Sequence, residues 1–364
     1  MFKIFKLRKD TFIIDLLAVL MLLLVFFILN PETAAAIEEE KSPFINSNYI
    51  MVDDILFHYR IWPSDTGDSV SHSADPQKCA DKTGERILLI HGLGGSTYSW
   101  RYLAPELAEA GYKVVAVDLP GFGYSSRQTG LDHSQKQRAE WLWKLVDKLE
   151  RAEFRGQKER DQDENYRPGS WHLVGHSMGG GTAAAMAARY PDFTNSLLLI
   201  APALERGGTG FGISDFLDYN LVKRGGELLL ENIFFTRPLV GRALKSAYGK
   251  EPTAEEVSAH LKPLQRPGTA EVWLDIIATA SGVTIEEIEN LDIPVLLIWG
   301  EEDSWVNPEQ GLSLKDDLFD AHMFLIPDSG HNPMETHYHQ VNREILAWLK
   351  SENLDPGGNF SASY

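Results

Sequence analysis

The stretch Trp171-His172-Leu173-Val174-Gly175-His176-Ser177-Met178-Gly179-Gly180-Gly181 decides how the rest of the chain is read. An apolar run of strand length enters Gly-x-Ser-x-Gly and leaves through tiny residues, Gly180, Gly181 and Ala183 to Ala185, that suit a helix packed close to a sheet. A strand that turns sharply into a helix with serine at the corner is a nucleophile elbow. The turn forces the serine backbone into a strained conformation, so bulky neighbours are excluded, and Gly175 and Gly179 meet that demand. The helix N-terminus then points the positive end of its dipole toward Ser177.

A serine hydroxyl is a poor nucleophile until an imidazole takes its proton and an acid fixes the tautomer of that imidazole. Both partners are expected downstream, in the order serine, acid, histidine, each after a later strand. Val295-Leu-Leu-Ile-Trp-Gly300-Glu301-Glu302-Asp303 places Asp303 just past a strand end. Ile326-Pro-Asp-Ser-Gly330-His331-Asn332-Pro333 places His331 on a loop before the final helix. Both positions fall where open α/β sheets build their sites, at the carboxyl ends of strands. Glu301 and Glu302 compete with Asp303 but read as solvated turn acids. His322 begins a strand, His337 and His339 sit in or near the last helix, and His176 belongs to the elbow itself, so His331 is the expected base. Attack on a carbonyl also needs two N–H groups for the developing oxyanion. Met178, next to the serine, offers one; Leu93, in the Gly-rich loop His91-Gly92-Leu93-Gly94-Gly95-Ser96, is expected to offer the other. That loop has neither the Gly-Lys-Ser/Thr of a phosphate cradle nor a Gly-x-Gly-x-x-Gly fingerprint, so no nucleotide cofactor is expected, and no metal site.

Working outward, short apolar runs alternate with helix-length segments. Ile55–Trp62, Ile87–Ile90, Val114–Val117, His172–Val174, Leu197–Ile200, Val295–Trp299 and Met323–Ile326 read as strands, most of them buried on both faces. Trp100–Ala110, Ser134–Glu150, Gly180–Tyr190 and Tyr338–Leu349 read as helices between or after them. That rhythm predicts right-handed crossovers and a mostly parallel sheet. Two interruptions break it. Arg151–Gly169 is a charged surface insertion, whereas residues 204–283 replace strands with helix-like pieces carrying Phe211, Phe216, Tyr219, Phe234, Phe235, Tyr248 and Trp273, as a helical lid would. The organisation expected is a leader over 1–36, core over 37–203, lid over 204–283, core again over 284–350, and a tail over 351–364. Ser64–Gly84 reads as a surface loop.

The leader has Lys3, Lys6, Arg8 and Lys9 ahead of an apolar run from Phe12 to Leu29 interrupted by Asp15. Its 18 residues are just enough to cross a bilayer core. The 14 uninterrupted residues, followed by Ala34-Ala35-Ala36, also suit a signal peptide. Both readings export the remaining chain, as anchored or as released protein. With 34 basic and 52 acidic side chains the net charge is −18, which opposes nucleic-acid binding. Cys79, the single cysteine, rules out an intramolecular disulfide framework or a thiolate cluster.

At these residues, and at Val117-Asp118-Leu119-Pro120-Gly121-Phe122-Gly123-Tyr124-Ser125 and Gly330-His331-Asn332-Pro333, the chain resembles the lidded α/β-hydrolases, from about Ile55 to Lys350. Monoacylglycerol-lipase-like esterases and carbon–carbon bond hydrolases belong to that group. The resemblance implies an α/β-hydrolase fold with an eight-stranded, mostly parallel sheet flanked by helices, and a lid after the sixth strand. It gives Asp118 a structural turn and no catalytic role. Asn307, between Val306 and Pro308, departs from the Val-Pro of many members. Epoxide hydrolases and dehalogenases of the group carry an aspartate where Ser177 stands, so they are set aside. The expectation is a serine hydrolase acting on a hydrophobic or lipid-like carboxylic ester, with Ser177, His331 and Asp303 as triad. A carbon–carbon bond hydrolase, thioesterase or acyltransferase would use the same triad. A receptor without catalysis would show a lost triad member or a broken oxyanion loop.

Overall fold

The computed structural model describes residues 43–63, 85–154, 169–204 and 220–354. The apolar leader, the whole Ser64–Gly84 loop with Cys79, most of the charged insertion, Phe211, Phe216 and Tyr219, and the last ten residues of the tail lie outside them. Among the described residues no helix is long and apolar enough to cross a membrane.

Eight strands form one sheet in the order β1-β2-β4-β3-β5-β6-β7-β8. They are β1 (Ser47–Val52), β2 (Ile55–Trp62), β3 (Arg86–Ile90), β4 (Lys113–Val117), β5 (Trp171–His176), β6 (Thr194–Ile200), β7 (Val295–Gly300) and β8 (Ala321–Ile326). β2 runs antiparallel to both β1 and β4, and every other pairing is parallel. Seven strands match the apolar runs read from the sequence. β1 was not among them, because its exposed Asn48, Tyr49 and Met51 give it no clean apolar face.

The central strands are buried on both sides, and successive residues serve opposite faces. Leu88, Ile90, Val115, Val117, Leu197, Leu199, Val295 and Leu297 share one apolar cluster with Trp141, Leu142, Leu145 and Val146 of α2 (Gln135–Phe154) and Ala183–Ala187 of α3 (Met178–Arg189). Ile87, Leu89, Val114, Ala116, Leu198, Ile200, Leu296 and Ile298 join Leu103 and Leu107 of α1 (Leu103–Glu109) and Val341, Ile345 and Trp348 of α10 (Tyr338–Leu354). Two helical layers thus cover the sheet, as a parallel sheet requires.

Between β6 and β7 the chain leaves the sheet for α4 (Asn220–Leu229), a π-helical turn (Leu230–Phe234), α5 (Arg237–Tyr248), α6 (Ala254–Leu264) and α7 (Thr269–Thr279). Gly249, at φ +70°, ends α5, and Thr253 with Glu256 forms a capping box that starts α6. Phe235, Val240, Leu244, Ala247, Tyr248, Val257, Leu261, Leu264 and Ala270 give these helices an apolar cluster of their own. They form a cap at the carboxyl edge of the parallel strands. α8 (Pro308–Asp317) and the short α9 (Pro333–Thr336) complete the fold.

Candidate active site

Ser177 stands between β5 and α3 with φ +50° and ψ −119°, outside the regions ordinary residues occupy. Such a conformation costs about 1–3 kcal/mol and persists only where the surroundings enforce it. Here Ser177 N–H donates to Ile200 O (2.9 Å), and its own carbonyl accepts from Gly181 (3.2 Å) and Ala203 (2.9 Å). Close approach explains the glycines. A Cβ on Gly175 would lie 2.3 Å from Gly179 O, and one on Gly179 would lie 2.3 Å from Ile90 O. The elbow is wedged against the end of β3, with the Gly92–Gly95 loop beside it. A Cβ on Gly92 would come within 3.1 Å of Ser177 Cβ. Leu93 and Ser177 line one cavity, while Met178 opens α3 directly after the serine.

Asp303 and His331 lie on the loops after β7 and β8, and the structure brings them together. His331 Nδ1 is 2.7 Å from Asp303 Oδ2, with both side chains buried. The second carboxylate oxygen, Oδ1, accepts N–H groups from Trp305 (2.8 Å) and Val306 (3.0 Å), which fix its plane. Asn307, the residue out of pattern, caps α8 by accepting the Glu309 N–H (3.0 Å), so the departure leaves the acid loop intact. Glu301 and Glu302 are exposed, as turn acids should be.

His176 makes a contact that the sequence did not disclose. Its Nε2 is 2.9 Å from the carbonyl of His331. A carbonyl only accepts, so Nε2 carries the hydrogen. Burial, then the neighbouring His331, push its pKa down to about 3, leaving it a neutral prop under the His331 backbone. Trp305 is a second unforeseen neighbour, stacked on His331 with ring centroids 5.4 Å apart at 18°.

Ser177 and His331 open on a cavity of about 300 Å³, floored by the core loops and roofed by the cap. Its walls are mostly apolar, including Phe235, Leu239, Val240, Leu244 and Trp273. Leu93, Phe234 and Trp305 also line it while 52%, 55% and 48% exposed, so apolar side chains edge its opening. Of the aromatics expected in the lid, Phe234, Phe235 and Trp273 reach the cavity and Tyr248 does not. No Lys or Arg is among the described lining residues. Among the described residues no group of three or more His, Cys, Asp or Glu is gathered as metal ligands would be.

Beside the cavity a fully buried carboxylate, Glu335, joins cap to core. Its Oε2 accepts from Arg101 Nη1 (2.5 Å) and from the Tyr248 hydroxyl (2.8 Å). Its Oε1 accepts from Asn332 Nδ2 (3.1 Å) and lies 3.5 Å from His260 Nε2. Burial alone would raise the Glu335 pKa, but His260 and Arg101 hold it far below the carboxylate range. Burial opposes charge on His260 as well, yet the Glu335 carboxylate raises its pKa. Its Nδ1 faces the Glu256 carbonyl at 3.0 Å, so both ring nitrogens face acceptors, as an imidazolium needs.

The sequence model of the alpha/beta hydrolase fold family matches residues 85–338. The chain is 26% identical over 261 residues to Lipase 3 of Moraxella sp. (strain TA144), covering 69% of this chain and 73% of that one. It is 30% identical over 258 residues to the 2-hydroxymuconate semialdehyde hydrolase of Pseudomonas sp. (strain CF600), covering 68% and 81%. Among solved structures it is similar to a membrane phospholipase A described as a bacterial virulence factor, with a TM-score of 0.61 at 21% identity, over 84% of this chain and 86% of that one.

Proposed function

The chain belongs to the α/β-hydrolase fold family, and we propose that within it the protein hydrolyses a neutral, hydrophobic carboxylic ester through an acyl-enzyme on Ser177. The observation that carries this reading is a histidine, paired with the buried Asp303, that shares one apolar cavity with a serine on a strained elbow. In the proposed cycle Ser177 Oγ attacks the ester carbonyl and its proton passes to His331. Asp303 holds the ring in the tautomer that can accept that proton and stabilises the imidazolium. The Leu93 and Met178 amides receive the oxyanion. His331 then returns the proton to the leaving alcohol. A water molecule attacks the acyl group, gives its proton to His331, and the carboxylic acid departs as Ser177 regains its hydrogen.

The cavity supports the substrate class. Its volume of about 300 Å³ is at the small end for ligand sites, which favours short or medium acyl groups over long chains. Hydrolases of dioates act on substrates that carry carboxylates, and 2-hydroxy-6-oxononadienedioate/2-hydroxy-6-oxononatrienedioate hydrolases are among the relatives. A cation in the wall would suit such a substrate, and the described lining has neither Lys nor Arg.

Labelling with a fluorophosphonate tests the nucleophile. Wild type is expected to react and Ser177→Ala to stay unlabelled, with ester turnover down by about 10⁴-fold or more. An unlabelled wild type sinks the proposal. A panel of p-nitrophenyl esters of increasing chain length then reads the substrate class. Export belongs to the same proposal, with Phe12–Leu29 as an anchor or a cleaved signal. The mass of the mature N-terminus in membrane and soluble fractions distinguishes the two.

A further inference from the structure

We propose that Trp305 is a positioning residue that lets the cap hold His331 in its working orientation, an inference that rests on the ester-hydrolase reading above. Three contacts converge on this side chain and its backbone. The Trp305 N–H donates to Asp303 Oδ1 (2.8 Å), so its backbone is tied to the carboxylate that holds the His331 ring. The indole lies nearly parallel to the imidazole, 18° apart with centroids at 5.4 Å, an offset stack. The indole Nε1–H reaches the other way and donates to Ser246 Oγ (3.0 Å) on α5 of the cap. One residue therefore touches the acid, the base and the cap.

Trp305 is 48% exposed, so its ring is held by these contacts rather than by burial. Asp303 fixes His331 at one nitrogen, so rocking of the ring about that hydrogen bond is limited by what packs on it: the tilted His176 ring, centroids 4.8 Å apart at 51°, and the parallel Trp305 indole. A flat surface against one face limits the rocking. When His331 takes the serine proton, the indole also presents its electron-rich face to the new positive charge. Both effects act in the transition state more than in the bound ground state, so losing them should lower kcat and leave KM nearly unchanged. A residue that served only as cavity wall would show the reverse, a rise in KM that grows with the acyl chain.

The test uses the full chain with Trp305→Ala, Trp305→Phe and Ser246→Ala, assayed on a short and a longer neutral p-nitrophenyl ester. Trp305→Ala is expected to lose about tenfold or more in kcat, equally for both esters, with KM within about twofold of wild type. Trp305→Phe, which keeps a ring over the imidazole, should recover most of that loss. Ser246→Ala should fall between wild type and Trp305→Ala with the same split. A kcat for Trp305→Ala within twofold of wild type overturns the proposal, as does a loss carried by KM. If Trp305→Ala fails to fold by circular dichroism, Ser246→Ala decides, and an unchanged kcat there overturns the link to the cap. Failure of the ester-hydrolase reading is visible separately, as a wild type that neither reacts with fluorophosphonate nor turns over ester.

Discussion

A second serine in this molecule lies against a histidine–aspartate pair, outside the cavity that Ser177 and His331 line. Ser47 Oγ lies 2.8 Å from His58 Nε2, and His58 Nδ1 lies 2.7 Å from Asp118 Oδ2. The distances alone would suit a triad, but the surroundings differ. Ser47 begins the edge strand β1 in ordinary backbone and accepts the Phe44 N–H at 3.1 Å, and it is not among the residues that line the cavity. Asp118 spends its carboxylate on the amides of Thr97 (2.6 Å) and Tyr124 (2.8 Å), pinning two loops beneath the site. Ser47→Ala should therefore keep fluorophosphonate labelling and ester turnover within about twofold of wild type. Labelling of Ser47 in the Ser177→Ala background, found by peptide mass, would contradict this. Asp303 carries the opposite expectation. Asp303→Asn keeps the shape but favours the wrong His331 tautomer, and kcat should fall by about 10⁴-fold.

At the scale of elements, the joint between cap and core is ionic and buried. Arg101 from the segment after β3, Tyr248 from α5 and His260 from α6 converge on Glu335 of α9, with Asn332 from the loop that carries His331. Arg101 also reaches Glu256 of α6 at 3.2 Å. Glu335→Gln leaves the buried His260 without its counter-charge and Arg101 with Glu256 alone, which costs about 3–5 kcal/mol and should lower the thermal midpoint by roughly 5–10 °C. The pH dependence follows from the two shifts. His260 has a raised pKa, so its contribution is complete below about pH 6.5 and lost as pH rises through the folded value. Glu335 is held low, so its contribution is complete above about pH 4.3 and lost only as pH falls through its depressed value. Stability should fall on the alkaline side, and His260→Gln should remove that limb from a series of melts at pH 5–9. Little of this joint could be read from the sequence. Arg101 and Glu335 are 234 residues apart, and neither carries a motif. The strained elbow and the Asp303–His331 pairing were legible because strand ends and glycines constrain them locally. Trp305 was not, since its role depends on which ring and which cap helix it meets.

For the whole molecule, charge decides what the cavity can receive. Thirty-four basic side chains against 52 acidic ones give −18, in a protein whose eight strands carry no Asp or Glu. The excess therefore sits toward solvent, where it repels itself and any anion that approaches. Raising ionic strength from 0.01 to 0.15 M shortens the screening length from about 30 to about 8 Å. The self-repulsion weakens, so the thermal midpoint should rise with salt, while the buried Glu335 cluster is screened much less. The same change separates substrate classes. A neutral ester feels no net force, and its kcat/KM should stay within about twofold over that range. An ester bearing a free carboxylate is held off at low salt, so its kcat/KM should climb as salt is added. If instead the anionic ester is turned over faster than the neutral one at 0.01 M, the neutral-substrate reading of the cavity fails, and a cation outside the described lining must be guiding the anion in.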